Sequence, residues 1–208
     1  MRLRKRPELY EAIKNYQDIV FLHGRVEDAL VDKKEISLEI GTGRGAFLTK
    51  LALLDRKTFY VGIELQTEVI YFAARRVREA ALDNVRLIQG NAYNIEEWFT
   101  FGQISTLYIN FCDPWPKTRH IKRRLVAKNF LEKYQKIIKL GGQLHFKTDN
   151  KDLFAFALEE FQVLGLPILH ESYDLHKSGI NNPAWTEYEE KFYNLGFPVC
   201  YAQVSFGR

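Results

Sequence analysis

The sequence predicts an α/β fold: a Rossmann-like, doubly wound, mostly parallel sheet with an antiparallel C-terminal edge. Three observations carry this. Apolar, strand-like runs alternate with stretches of helical periodicity as far as residue 165, the pattern of parallel strands joined by crossover helices. The first run leads directly into the glycine turn of "LEIGTGRGAF". The tail breaks the alternation, because "ILHESYDLH" and "FPVCYAQVSF" have no helix of comparable length between them and suit an antiparallel pair.

The elements follow in order. Strands are expected at 35–41, 58–64, 85–90, 105–111 and 142–149, each an apolar run ending near a turn or a polar residue. Helices are expected at 46–54, 67–82, 125–142 and 151–165, the third stopped by the paired glycines Gly141 and Gly142. No repeat, low-complexity tract or linker divides the 208 residues. One domain over 1–208 is expected, with 1–30 as a basic N-terminal extension.

Composition excludes several classes. Two cysteines, Cys112 and Cys200, are too few for a secreted disulfide scaffold, and a reducing cytoplasm is the expected location. "MRLRKRPELYEAIKNY" is basic but lacks the apolar core of a signal peptide. No window approaches the ~20 apolar residues of a membrane span. The net charge of +4 is mild, so the distribution of charge matters more than its total. No metal is expected, since His120 has no second ligand at metal spacing. Oligomeric state is not legible, although the aromatic tail offers a surface for a homodimer.

The chemistry gathers at strand ends. Gly41, Gly43 and Gly45 form a tight strand-to-helix turn that brings backbone close to a ligand. A dinucleotide site is a rival, because Gly41, Gly43 and Ala46 also fit Gly-x-Gly-x-x-Ala. Glu39 favours a cationic ligand over a pyrophosphate. Glu64, 64 − 43 = 21 residues past the middle glycine, stands where a carboxylate accepts ribose hydroxyls. Asn91 either bonds an adenine edge or caps a helix. In "NFCDPWPKTRHIKRR", Asp113 ends a strand, Pro114 and Pro116 stiffen the loop, and Trp115 lies between them. Lys117, Arg119, Lys122, Arg123, Arg124 and Lys128 follow, with no Asp or Glu from Pro114 to Leu131. A solvated basic loop is one reading and a phosphate-gripping segment the other. Arg2, Arg4, Lys5 and Arg6 form a second basic segment. Asp149 ends the fifth strand and alone reads as a helix cap, while Thr186 and Glu189 read as a capping box.

"EIGTGRG", "GIE", "GNA" and above all "DPWPKTRH", with "FKTDN" and "TEYEEK", resemble the bacterial tRNA (guanine-N7-)-methyltransferases. The resemblance implies a class I methyltransferase fold, S-adenosylmethionine as cofactor, and tRNA as partner with no membrane involved. It implies transfer of methyl to N7 of a variable-loop guanine. It implies a catalytic, cofactor-proximal Asp113, with Glu39, Gly41, Gly43, Gly45, Glu64 and Asn91 holding the cofactor. Lys117, Asp149, Thr186 and Glu189 would contact the guanine, which favours binding over capping for the last three. Arg119, His120, Ile121, Lys122, Arg123 and Arg124 would contact RNA.

Overall fold

A computed structural model describes residues 6–22, 30 and 35–207. The chain divides into two compact units, Met1–Trp98 and Phe99–Arg208. In the first, helix α1 (Pro7–Ala12) starts on a proline, whose missing N–H costs nothing at a helix N-terminus. Strand β1 (Val20–Leu22), β2 (Ile36–Ile40), helix α2 (Ala46–Leu54), β3 (Phe59–Glu64), helix α3 (Thr67–Glu79) and β4 (Val85–Gln89) follow. The strands run in the order β1-β4-β3-β2, and the pairs β1–β4, β3–β4 and β2–β3 are parallel. Every residue of β2 is buried, Ser37 and Glu39 included, as suits a parallel strand covered on both faces. On α3 the buried positions Ile70, Ala73, Ala74 and Val77 recur at helical spacing, so one face meets the core.

The sequence reading has no element in 7–22, yet these residues fold. Leu9, Ile13, Ile19 and Val20 are buried. Arg78 of α3 donates to Asn15 O at 2.8 Å and to Asp18 at 2.5 Å, and its guanidinium lies 4.3 Å over the Tyr16 ring. A three-residue strand carries too little alternation to be recognised. Arg2, Arg4 and Lys5 lie outside the described residues.

In the second unit, β5 (Ile104–Asn110), helix α4 (Lys128–Ile137), β6 (Ile138–Thr148), helix α5 (Lys151–Val163), β7 (Ile168–Ser172), helix α6 (Glu187–Asn194) and β8 (Cys200–Phe206) follow one another. Their order is β5-β6-β8-β7. β5 and β6 are parallel, whereas β6–β8 and β7–β8 are antiparallel, so the expected antiparallel tail is present. The helix expected to reach 142 ends instead at Ile137. Gly141 and Gly142 belong to β6, where the register jumps from Ile104↔Ile138 to Thr106↔Gln143. A Cβ on Gly142 would stand 2.5 Å from Ile138 Cγ2 and 2.9 Å from the carbonyls of Lys139 and Ser105. The glycine therefore serves a bulge with close backbone approach rather than a helix stop.

His145 on β6 stacks on Tyr108 at 5.0 Å, and its Nδ1 lies 2.8 Å from the Tyr201 hydroxyl. Burial first, then the charges of Lys147 and His170, push the imidazole from 6.5 down to about 4. Between those values the unfolded chain binds a proton that the folded chain refuses, so stability falls as pH drops through that window. The shift corresponds to about 3 kcal/mol at ~1.4 kcal/mol per unit. Urea unfolding of His145→Gln is expected to show a flatter acid limb than wild type between pH 6.5 and 4, and equal slopes would remove His145 as the cause.

Candidate active site

The first unit builds one cluster at the carboxyl ends of β2 and β3. Gly41, Gly43 and Gly45 have φ of +77°, +58° and +74°, a left-handed geometry that strains any side chain. A Cβ on Gly45 would also stand 3.0 Å from that of Ala73, so this glycine seats α2 against α3. Four of the turn's N–H groups have acceptors within the protein. Gly41 and Thr42 donate to Ile63 O at 2.9 and 3.0 Å, and Gly45 to Thr42 O at 2.9 Å. Gly43 donates to Glu64 Oε2 at 3.2 Å. This differs from a pyrophosphate cradle, which needs those amides turned to the ligand. A Cβ on Gly41 would meet nothing within 4 Å, so the turn offers an open, side-chain-free surface.

Two carboxylates flank that surface. Glu39 is 2% exposed and accepts from the Thr42 hydroxyl at 2.7 Å. Glu64 is half-buried and also accepts from Gln66 N–H at 3.0 Å. A dianion would be repelled here and a cation attracted, which disfavours the dinucleotide reading. Asn91 is exposed and caps the 3-10 turn Ala92–Glu97 by accepting from Tyr93 N–H at 3.0 Å. The capping alternative is realised for its oxygen, while its amide N–H groups keep the chemistry for a purine edge.

The second unit builds another cluster where β5 ends. Phe111 and Trp115 have φ of +51° and +42°, and such conformations in bulky residues cost roughly 1–3 kcal/mol each and persist only where neighbours hold them. Between them are Cys112, exposed Asp113 and Pro114. Burial, then the Asp113 charge, pushes the Cys112 thiol up to about 12, so thiolate chemistry has no place here. The basic run forms a 3-10 turn, Thr118–Arg123. Arg123 lies 4.9 Å over the Trp115 ring, and His120 meets that ring edge-on at 5.4 Å while accepting from Arg119 Nε at 3.2 Å. Lys117, Arg119, Lys122 and Arg123 are exposed, and His120, Ile121 and Arg124 half-buried.

Asp149 is exposed at the end of β6. The helix cap beside it is Asn150, which accepts from Leu153 N–H at 2.8 Å. Asp149 instead accepts from the Tyr188 hydroxyl at 2.9 Å, and the Tyr188 ring packs 4.8 Å from Phe111. Tyr188 thus joins Asp149 to the start of the Asp113 loop. Burial, then the Asp149 bond, raises its phenol to about 12, which keeps it a donor. Nothing local in the sequence singles this residue out, although it stands inside "TEYEEK".

Thr186 and Glu189 form a full capping box on α6. Glu189 is fully buried, 3.0 Å from Lys147 Nζ and 3.5 Å from His176 Nε2, and it accepts from Asn182 Nδ2 at 2.7 Å. Lys147, 3% exposed, also donates to Asn182 Oδ1 at 2.6 Å and Ala184 O at 3.3 Å. Burial, more than any charge, lowers the His176 imidazole, which favours its neutral form. No group of three or more potential metal ligands occurs among the described residues. No helix among them is long and apolar enough to cross a membrane.

A family model described as "Putative methyltransferase" matches residues 33–202. Among solved structures, the 16S rRNA methyltransferase KamB aligns with a TM-score of 0.65 at 11% identity, over 88% of this chain and 92% of that one. A SAM dependent methyltransferase from Aquifex aeolicus aligns at 0.59 and 13% identity, over 96% and 89%. These likenesses show the fold: Rossmann-like, of the class I methyltransferase kind. Two proteins of Streptococcus pyogenes, serotypes M6 and M5, are 37% identical over 211 residues, 99% of this chain and all of theirs, and each is named tRNA (guanine-N(7)-)-methyltransferase. With the glycine turn, the Asp113 loop and its cations in place, that full-length kinship decides the matter: the chain belongs to the tRNA (guanine-N7-)-methyltransferase family.

Proposed function

We propose that this enzyme transfers the methyl group of S-adenosylmethionine to N7 of a guanine in the variable loop of tRNA. The reading is carried by the full-length identity to proteins named for that reaction. Residues 1–208 would act as one methyltransferase domain, in the cytoplasm.

S-Adenosylmethionine, when bound, supplies a methyl on a sulfonium cation, and N7 forms the new C–N bond as the C–S bond breaks. The first unit suits such a ligand, with an open glycine surface at Gly41 and two carboxylates beside it. Glu39 would meet the cationic end, Glu64 the ribose hydroxyls and Asn91 the adenine edge, with Gly41, Gly43 and Gly45 as floor. Guanine N7 carries an in-plane lone pair and no proton, so Asp113 need not act as a base. Asp113 would orient guanine by accepting from N1–H and the amino group, or steady the cofactor. Catalysis is then mainly positioning and water exclusion.

Asp149 and Lys117 would complete the base contacts. Glu189 is fully buried, so its share, with that of Thr186, would be to hold α6 and Tyr188 in place. Exposed Lys117, Arg119, Lys122 and Arg123, with His120 and Ile121 between them, would meet phosphates, which position RNA without reading sequence. The target base must leave its tertiary pairing to be reached. The test is nucleoside analysis of unmodified tRNA after incubation with the protein and S-adenosylmethionine. 7-Methylguanosine mapping to the variable loop is expected. Methyl on any other atom, or none, overturns the reading.

A further inference from the structure

We infer that Arg124 is a positioning residue that braces the Asp113 loop, and that the basic run is therefore divided between cations that grip RNA and one that faces inward. The inference rests on the proposed methyl transfer.

The loop is short of donors of its own. Pro114 and Pro116 lack N–H groups, and Trp115 sits between them at φ +42°. Two loop carbonyls find a donor in one side chain. Arg124 Nε donates to Pro114 O at 3.1 Å and Nη2 to Trp115 O at 3.3 Å. The guanidinium face rests 4.3 Å from the ring centroid of Phe156 on α5, which fixes the plane of the fork.

The backbone of Arg124 is anchored as well. Its N–H donates to Ile121 O at 2.9 Å and its carbonyl accepts from Ala127 N–H at 3.0 Å. The clamped carbonyl of Pro114 is one residue from Asp113, so a slackened fork would displace the carboxylate directly. Arg123, next in the chain, is exposed and lies on the outer indole instead. Lysine is a point donor on a flexible stem and cannot reproduce two parallel bonds and a stacked plane.

The test compares Arg124→Lys, Arg124→Ala and Arg123→Ala. Both Arg124 variants are expected to lose about tenfold or more in turnover at saturating tRNA, as misplaced reacting groups do. Their tRNA Kd should stay within about twofold of wild type, with an unchanged salt slope. Arg123→Ala should instead weaken tRNA binding and reduce the salt slope by about 0.9. Arg124→Lys should melt near wild type, which separates the effect from misfolding.

A second readout needs no catalysis. In protein labelled with 5-fluorotryptophan, the ¹⁹F line of Trp115, assigned with Trp115→Phe, should shift or broaden in both Arg124 variants. An unmoved line in Arg124→Ala, wild-type turnover in Arg124→Ala, or a salt slope lowered in it as in Arg123→Ala overturns the brace. If the wild-type protein transferred no methyl to tRNA, the proposed reaction would fall, and the Trp115 line would still decide whether Arg124 holds the loop.

Discussion

Asp113→Ala is expected to lose turnover by about 10²- to 10³-fold, the range that follows from misplacing a reacting partner. Asp113 is exposed in the loop three residues past the end of β5, so its removal leaves no cavity and little change in melting temperature. Affinity for S-adenosylmethionine should weaken only partly, because the contacts proposed for Glu39, Glu64 and Asn91 are untouched. Since guanine N7 has no proton to give up, the pH profile of wild-type turnover should not report an Asp113 base. Single-turnover assays with saturating tRNA and cofactor measure the loss, and wild-type turnover in this variant would remove Asp113 from the mechanism.

The largest effect on stability is expected at Lys147. Lys147→Met leaves the Glu189 carboxylate fully buried beside only neutral donors, and uncompensated buried charges of this kind cost about 3–5 kcal/mol. For a domain of this size that is a fall of about 10 °C in Tm. Lys147→Met/Glu189→Gln removes the orphaned charge while keeping a side chain that still bonds Asn182 and Thr186, so it should recover more than half of the loss. The cycle separates the pair from its surroundings. A Lys147→Met protein that melts within a degree or two of wild type would mean that the pair contributes little.

Much of the fold was legible because parallel strands buried on both faces leave apolar runs, as "TFYVGIE" does, and because α3 repeats its buried positions at helical spacing. What failed did so for identifiable reasons. Gly141 and Gly142 look like a helix stop in one dimension, whereas the contacts with Ile138 and Ser105 that demand a missing Cβ exist only after β5 and β6 pair. β1 is too short to show a period. Where a residue type answers one backbone demand its place was legible, as for the turn glycines, which stand at positive φ. Residues with two uses were not separable. Thr186 and Glu189 have the same spacing whether they cap or bind, Asn91 accepts from a backbone N–H yet keeps its amide donors, and Arg124 carries the same charge as Arg123 while turned the other way. Tyr188 was overlooked because nothing local tells an aromatic that reaches Asp149 from one that fills a core.

The raised thiol of Cys112 has a consequence for chemical intervention. Burial and the neighbouring Asp113 charge push this thiol up to about 12, so the thiolate is disfavoured at neutral pH. Burial likewise raises the Cys200 thiol, and both cysteines are free. Acrylamides, chloroacetamides and peroxide all require the thiolate, so a cysteine one residue from Asp113 gives them no purchase. Covalent probes for this site are therefore better aimed at nucleophiles other than Cys112.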